Sequence, residues 1–288
     1  FSCLVSRSIH LESVNSLSAD SFLNAVRRFA CRRGPIRKLF CDNGTNFVGG
    51  KNMLEEALKE EDHVKIRGEL LKKDCDWFEF KFNVPMASSM GGAWERMIRS
   101  VRSALTPLIM AHGHTLDDEL FRTLLTECEA IVNSRPISYF SGAPDDTLLP
   151  LSPNQILTLK SRVAVPYPGS FSQSDMYVRQ RWRRVQFLAD QFWRRWRREF
   201  LPTLQERQKW VQRRRNLQSG DVVAVVDDDE PRSRWPLGRI VRAYPSADGL
   251  IRKVRVRIGS TEYDRPVNRL IVLLRTESDS QTGSHEAQ

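Results

Sequence analysis

The chain has 288 residues, enough for one full-sized core and a smaller module, and its formal net charge of +10 points to an anionic polymer or surface as partner. Five scattered cysteines without a Cys-x-x-Cys pair argue against a disulfide framework and for a reducing, intracellular setting, and the five histidines do not interleave with them at zinc spacing. No run of eighteen apolar residues occurs and no signal-peptide pattern opens the chain, so neither a membrane nor zinc is expected as partner. Residues 1–14 mix Leu4, Val5, Ile9, Leu11 and Val14 with short polar residues and read as a strand. Ser18 offers an N-cap for a helix carrying Phe22, Leu23, Val26 and Phe29 on one side, and Gly34-Pro35 stops it. A short strand, 36–41, then delivers Asp42 at its C-terminal end, and this order predicts a parallel crossover in a mixed α/β sheet.

Residues 51–73 read as a helix with a solvated acidic and basic face, and Phe78, Phe80 and Phe82 alternate with Glu79 and Lys81 as in a half-buried strand. A loop with Gly91 and Gly92 leads into a helix from Ala93 to about Met110, which Pro107 should end or kink. His112-Gly113-His114 reads as the loop that ends it. Thr115, with Asp118 three residues on, is expected to start the next helix, which stops near Asn133-Ser134-Arg135-Pro136. Residues 141–176 look like an irregular connection rich in Pro, Ser and Gly.

From Tyr177 the composition changes. Val178, Trp182, Val185, Ala189, Phe192 and Trp196 recur at spacings of three and four as an apolar seam. Between residues 179 and 215 stand thirteen Arg or Lys against three acids, so the charge surplus of the whole chain resides there. Such a connector admits three uses: carrying DNA phosphates, packing against another subunit, or lying on a membrane surface. Beyond Gly220 short strands follow at 222–226, 237–243, 251–258 and 270–274, with Asp248-Gly249 as a hairpin turn, which is the size of a small barrel. Lys253, Arg255 and Arg257 alternate with Val254, Val256 and Ile258 and face outward. They fit a DNA backbone and a solvated strand face equally. The tail from Glu277 is polar and expected to be disordered.

Two carboxylates carry the chemistry. Asp42 at a strand end, followed by Asn43-Gly44, suits a divalent ion at the carboxyl edge of a sheet, although an Asp-Asn-Gly triplet also makes an ordinary turn. Glu95 shares a helix face, within about 60° at 100° per residue, with Arg99, Arg102 and Thr106. Trp94, Ile98, Val101, Leu105, Leu108 and Ile109 form a different, apolar face. The arginines match phosphate, but Glu95 and Arg99 are also spaced for a simple surface ion pair.

Together, Asp42 to Val48 and Gly91 to Arg99 resemble the retroviral-type integrase core, an RNase H-like fold with an Asp, Asp, Glu active site. Ser6 to Glu12, Asn133 to Pro136, Leu151-Ser152-Pro153-Asn154 and Trp235-Pro236-Leu237-Gly238-Arg239 extend the likeness to integrases of BEL/Pao-type LTR retrotransposons. The resemblance implies α/β architecture: an integrase core over 1–150, an Arg/Trp-rich helical connector over 151–218, an SH3-like barrel over 219–275 and a tail over 276–288. Asp42 and Glu95 then match the second and third carboxylates, as ligands of Mg²⁺ or Mn²⁺, supported by the loop residues Asn43, Gly44, Asn46, Gly91 and Gly92. Arg96, Arg99 and Arg102, Arg194, Arg195, Arg197 and Arg198, and Lys253, Arg255 and Arg257 would contact DNA. The first Asp has no match here, since in that family it precedes the strand at which this sequence opens, and the two matched carboxylates are separated by a long spacer of 52 residues. The implied activity is 3′-end processing and strand transfer by a nuclear, multimeric enzyme. The alternative is a catalytically inactive remnant serving as a DNA-binding or multimerisation module.

Overall fold

A computed structural model describes residues 1–42, 44–59, 79–82, 92–141, 148–160, 166–204, 215–227 and 230–276. Asn43, the helix expected over 60–73, Phe78, the loop before Gly92, Trp210 and the tail from Glu277 lie outside the described residues.

The first segment is not the expected strand. Residues 1–10 form a tight hairpin whose one bridge pairs Ser2 with Ile9, with the Cys3 amide donating to the Ser8 carbonyl at 2.8 Å. Its turn places Arg7 at a φ of 57°, and three serines among the first ten residues leave too little apolar alternation to extend the ladder. Helix α1 (Ala19–Arg33) begins where expected: the Ser18 side chain accepts from the Ser21 amide, and Gly34 closes the far end. Strand β1 (Lys38–Cys41) pairs in parallel with β2 (Glu79–Phe82), in register from Lys38–Glu79 to Cys41–Phe82. Between them α2 (Thr45–Lys59) packs on α1, with Phe47 meeting Phe22 edge-on at 4.8 Å.

Helix α3 (Gly92–His112) runs unbroken through Pro107. Pro107 is exposed, as is Ser103 one turn back, so the carbonyl it leaves unpaired faces water. A 3-10 turn, Gly113–Thr115, follows. The cap of α4 (Asp118–Asn133) is Asp117, which accepts from the Leu120 amide at 3.0 Å; the Thr115 hydroxyl instead donates to the His112 carbonyl. The stretch expected to be irregular holds an antiparallel pair, β3 (Ser138–Ser141) with β4 (Leu148–Leu151), and a short helix α5 (Pro153–Thr158) closed by a Ser152–Gln155 capping box.

The largest departure concerns α6 (Arg181–Leu204), which is no mere connector. Val185, Leu188, Ala189, Phe192 and Trp196 are each at most 1% exposed, and they pack against Val101, Ala104 and Leu108 of α3 and Leu124 and Ile131 of α4. From Val185 to Trp196 the seam is therefore filled by this chain's own helices, whereas Trp182 at its start stays 46% exposed. The last module is a five-stranded antiparallel sheet of β5 (Val222–Val225), β6 (Leu237–Pro245), β7 (Ile251–Ile258), β8 (Thr261–Pro266) and β9 (Leu270–Leu274). Its order is β8-β7-β6-β5-β9, with a 3-10 turn at Val267–Arg269 leading into β9. One side buries Val223, Ile240, Val254, Val256 and Leu270 as its own small core, while Ala224, Trp235, Leu237 and Ile271 join the helical core through α6.

Candidate functional site

The parallel register carries Asp42 out of the sheet at the same edge as Phe82. Asp42 is exposed, and its Oδ1 accepts from the Gly44 amide at 3.0 Å; the Gly44 carbonyl in turn accepts from Phe47 and Val48 as α2 begins. A Cβ on Gly44 would stand 2.9 Å from Asn46 Oδ1 and 3.0 Å from Asp42 Oδ1, so a larger residue there would push both side chains, the carboxylate included, out of their present positions. The turn and an ion site are thus compatible uses of one Asp. Beneath it Cys41 is buried, and burial together with the Asp42 charge pushes its thiol up to about 11. It therefore stays a protonated core residue near neutral pH.

Glu95 lies in the first turn of α3. Glu95, Arg96, Arg99, Arg102 and Thr106 are exposed, whereas Val101, Ala104, Leu105 and Leu108 are buried against α6. No ion pair joins Glu95 to Arg99 among the described residues, so the surface-pair alternative is not what orders this stripe. A carboxylate at a helix N-terminus also sits favourably in the helix dipole.

Three of the four arginines proposed on α6 are exposed: Arg194, Arg195 and Arg198. Arg197 is different. It is 8% exposed, donates to the Asp227 carbonyl and lies over the Trp193 ring at 5.6 Å, so it holds the sheet module to the helix and cannot reach DNA. The cause is periodicity, since Arg197 follows Trp193 and precedes Leu201 on the inward side. On β7, Lys253, Arg255 and Arg257 face away from the buried Val254 and Val256 as expected. Lys253 and Arg255 are both engaged by Asp264 of β8, at 2.8 and 2.9 Å, and these contacts hold the Asp264 carboxyl down at about 2. Tyr244 stands beside them, with Arg242 and Lys253 at 5.3 and 5.4 Å from its ring.

Several motif residues have roles that sequence reasoning did not supply. The Asn133 side chain donates to the Ile9 carbonyl and accepts from the Ile9 amide, both at 2.8 Å, which clamps the N-terminal hairpin to the end of α4. Buried Arg135 donates to the Val132 and Arg7 carbonyls, and Asn154 donates to the Ala130 carbonyl at 2.9 Å. Trp235 meets Trp193 edge-on at 5.2 Å and stands face-to-edge with Trp196 and Phe200, and its Nε1 donates to Ser134 Oγ. Gly238 lets β6 approach β7: a Cβ there would fall 2.3 Å from Val256 Cγ1. Buried Arg232 donates to Gln186, with Asp190 and Glu127 at 3.3 and 3.7 Å. These stretches fasten modules together. The family resemblance marked most of these stretches in the sequence, but nothing local there revealed which distant partner each one holds.

A second missed cluster joins the hairpin to α1 and α4. Glu12 accepts from His10, Arg28 and Arg32, and Glu129 accepts from the Leu11 amide and Arg33, with His10 Nδ1 at 3.0 Å. Burial raises the Glu129 carboxyl, but the His10 and Leu11 contacts and the nearby charges of His10 and Arg33 outweigh it and hold the group below its usual range.

Asp42 and Glu95 offer the oxygen donors that Mg²⁺ and Mn²⁺ accept. Among the described residues, however, no three metal-ligating side chains gather at one place, so the donor set is incomplete here and no reaction step is routed through an ion. Among known proteins, no curated one matches the chain. A family of unknown function, DUF5641, matches residues 180–273. The matched stretch runs from one residue before α6 to near the end of β9 and so takes in the helix and the sheet that share a core.

Proposed function

We propose that this chain is the core and C-terminal part of a BEL/Pao-type retrotransposon integrase and that it binds duplex DNA. The observation that carries the reading is the exposed Glu95–Arg99–Arg102 stripe on α3, backed by a buried apolar face, together with exposed Asp42 at the end of a parallel strand. Arginines one and two turns beyond a carboxylate can grip successive phosphates while the carboxylate stays beside the scissile bond. The α/β pair β1–β2 with its flanking helices is compatible with an RNase H-like core. The sheet order, with a 3-10 turn before the last strand, is compatible with an SH3-like barrel. When bound, Mg²⁺ or Mn²⁺ would polarise the phosphate and activate the attacking oxygen. The residues of this chain would orient the DNA end: Arg96, Arg99 and Arg102 on its phosphates, with Arg194, Arg195 and Arg198 and the β7 cations further along. A nuclear site of action and multimeric assembly belong to the same proposal.

If Asp42 and Glu95 are the only catalytic carboxylates that residues 1–288 supply, this chain is expected to bind DNA ends without efficient strand transfer. Labelled duplex ends with Mn²⁺ test both halves. Binding that falls at least tenfold in Arg99→Gln/Arg102→Gln is the expected result. Robust joining that Asp42→Asn abolishes would show a complete active site and sink the two-carboxylate account, and absence of duplex binding would sink the function itself.

A further inference from the structure

Just ahead of α6, three aromatic rings gather at the surface. Trp182 meets Tyr167 at 5.6 Å and 63°, and Phe171 at 5.8 Å and 83°. The rings are held in place. The Arg183 guanidinium lies over both Phe171 and Trp182, at 5.2 and 5.5 Å, and its own position is set by Asp175 at 2.6 Å and the Ser170 carbonyl at 3.3 Å. Asp175 is itself pinned, accepting from the Ser172 amide. Tyr167 stands between Pro166 and Pro168, each of which restricts the backbone that presents it. Yet Tyr167 remains 62% and Trp182 46% exposed. Large rings ordered at this cost and left open mark an interaction surface.

The charge around them selects the occupant. Residues 166–184 carry four arginines against Asp175 alone. Arg183 is tied to Asp175, Arg181 to Asp117 and Glu119 of the α4 start, and Arg184 donates to the Val178 carbonyl. Arg179 is exposed and has no ion-pair partner among the described residues. Exposed π faces, with an exposed guanidinium three residues away along the chain, match a nucleotide, whose base stacks while its phosphate meets the cation.

We infer that Tyr167 and Trp182 form a stacking platform for unpaired bases of single-stranded DNA, with Arg179 on the adjoining phosphate. The inference rests on the proposed function in that DNA is the ligand, and it adds the strand form that this surface takes. A frayed or trimmed DNA end would present such bases beside a duplex held elsewhere on the chain.

The test uses the full chain and two fluorescent DNA probes, a twelve-nucleotide oligo-dT and a duplex of equal length, with a fluorescent decaproline peptide as a third ligand. Replacing Tyr167 and Trp182 together by Leu keeps an apolar side chain at each position but removes the π faces. Oligo-dT affinity is expected to fall about tenfold or more, with duplex affinity and the thermal melt unchanged. Tyr167→Phe with Trp182→Phe should restore it. Unchanged oligo-dT affinity would overturn the proposal, as would an equal loss for both probes, which would mark a general effect of charge or folding. Loss confined to a decaproline peptide would make the surface a protein-docking face and refute it as well. Failure of the unaltered chain to bind duplex would count against the proposed function alone, because the oligo-dT arm is read independently.

Discussion

Four arginines in one run, Arg194, Arg195, Arg197 and Arg198, look equivalent as letters, and the fold separates them sharply. Three point outward, whereas Arg197 is fastened to the Asp227 carbonyl and the Trp193 ring. If the exposed three each neutralise one phosphate, changing all of them to Gln should flatten the plot of log K against log salt by roughly 2.7, at about 0.9 per contact. Between about 50 and 200 mM salt that difference corresponds to a roughly 40-fold smaller loss of affinity in the variant. Arg197→Gln should leave the salt slope alone and lower stability, since it strands a carbonyl and opens a packed site, at a cost of about 1–3 kcal/mol. Fluorescence anisotropy with a duplex probe at several salt concentrations measures the first effect, and urea denaturation measures the second. A salt slope unchanged in the triple variant would remove α6 from the DNA interface. A slope that shifts in Arg197→Gln as much as in each exposed single variant would refute the division between inward and outward arginines.

Trp235→Ala should detach the five-stranded module from the helical core. The indole is 8% exposed and meets three aromatic rings, so truncation should cost about 3–5 kcal/mol, a large part of the roughly 5–15 kcal/mol that a domain possesses. Two separate unfolding transitions in urea are expected where the unaltered chain shows one, and a single transition shifted by less than about 1 kcal/mol would contradict the shared core. A pH effect follows from Glu129. Its carboxyl titrates lower folded than unfolded, so its contribution is fully present above the ordinary value of 4.5 and is lost as pH falls through the folded value. The thermal midpoint should therefore drop on acidification below about pH 4.5, and the drop should be shallower in Glu129→Gln; equal acid sensitivity in the two proteins would exclude this cluster as the cause.

Local signals in the sequence were sufficient wherever a structure depends on neighbours along the chain. Ser18 caps α1, Asp42 ends β1, and Val254 and Val256 turn inward while Lys253, Arg255 and Arg257 turn outward, because capping and two-residue alternation need only adjacent residues. The stripe of Glu95, Arg99 and Arg102 was legible for the same reason, through the helical period. Which surface an apolar stripe meets is not a local property. The seam of α6 could have served a second subunit or a membrane, and only the arrival of α3 and α4 decided that it closes this chain's own core. Asn133 and Trp235 were likewise visible as motif residues but silent about purpose, since their partners, Ile9 at one end and α6 at the other, are distant in sequence. The residues by themselves determined where the carboxylates and arginines stand on their own elements. Tertiary packing decided which arginines of α6 are left for a ligand, because an inward guanidinium such as Arg197, buried and held by a carbonyl and a ring of its own molecule, has no surface to offer DNA.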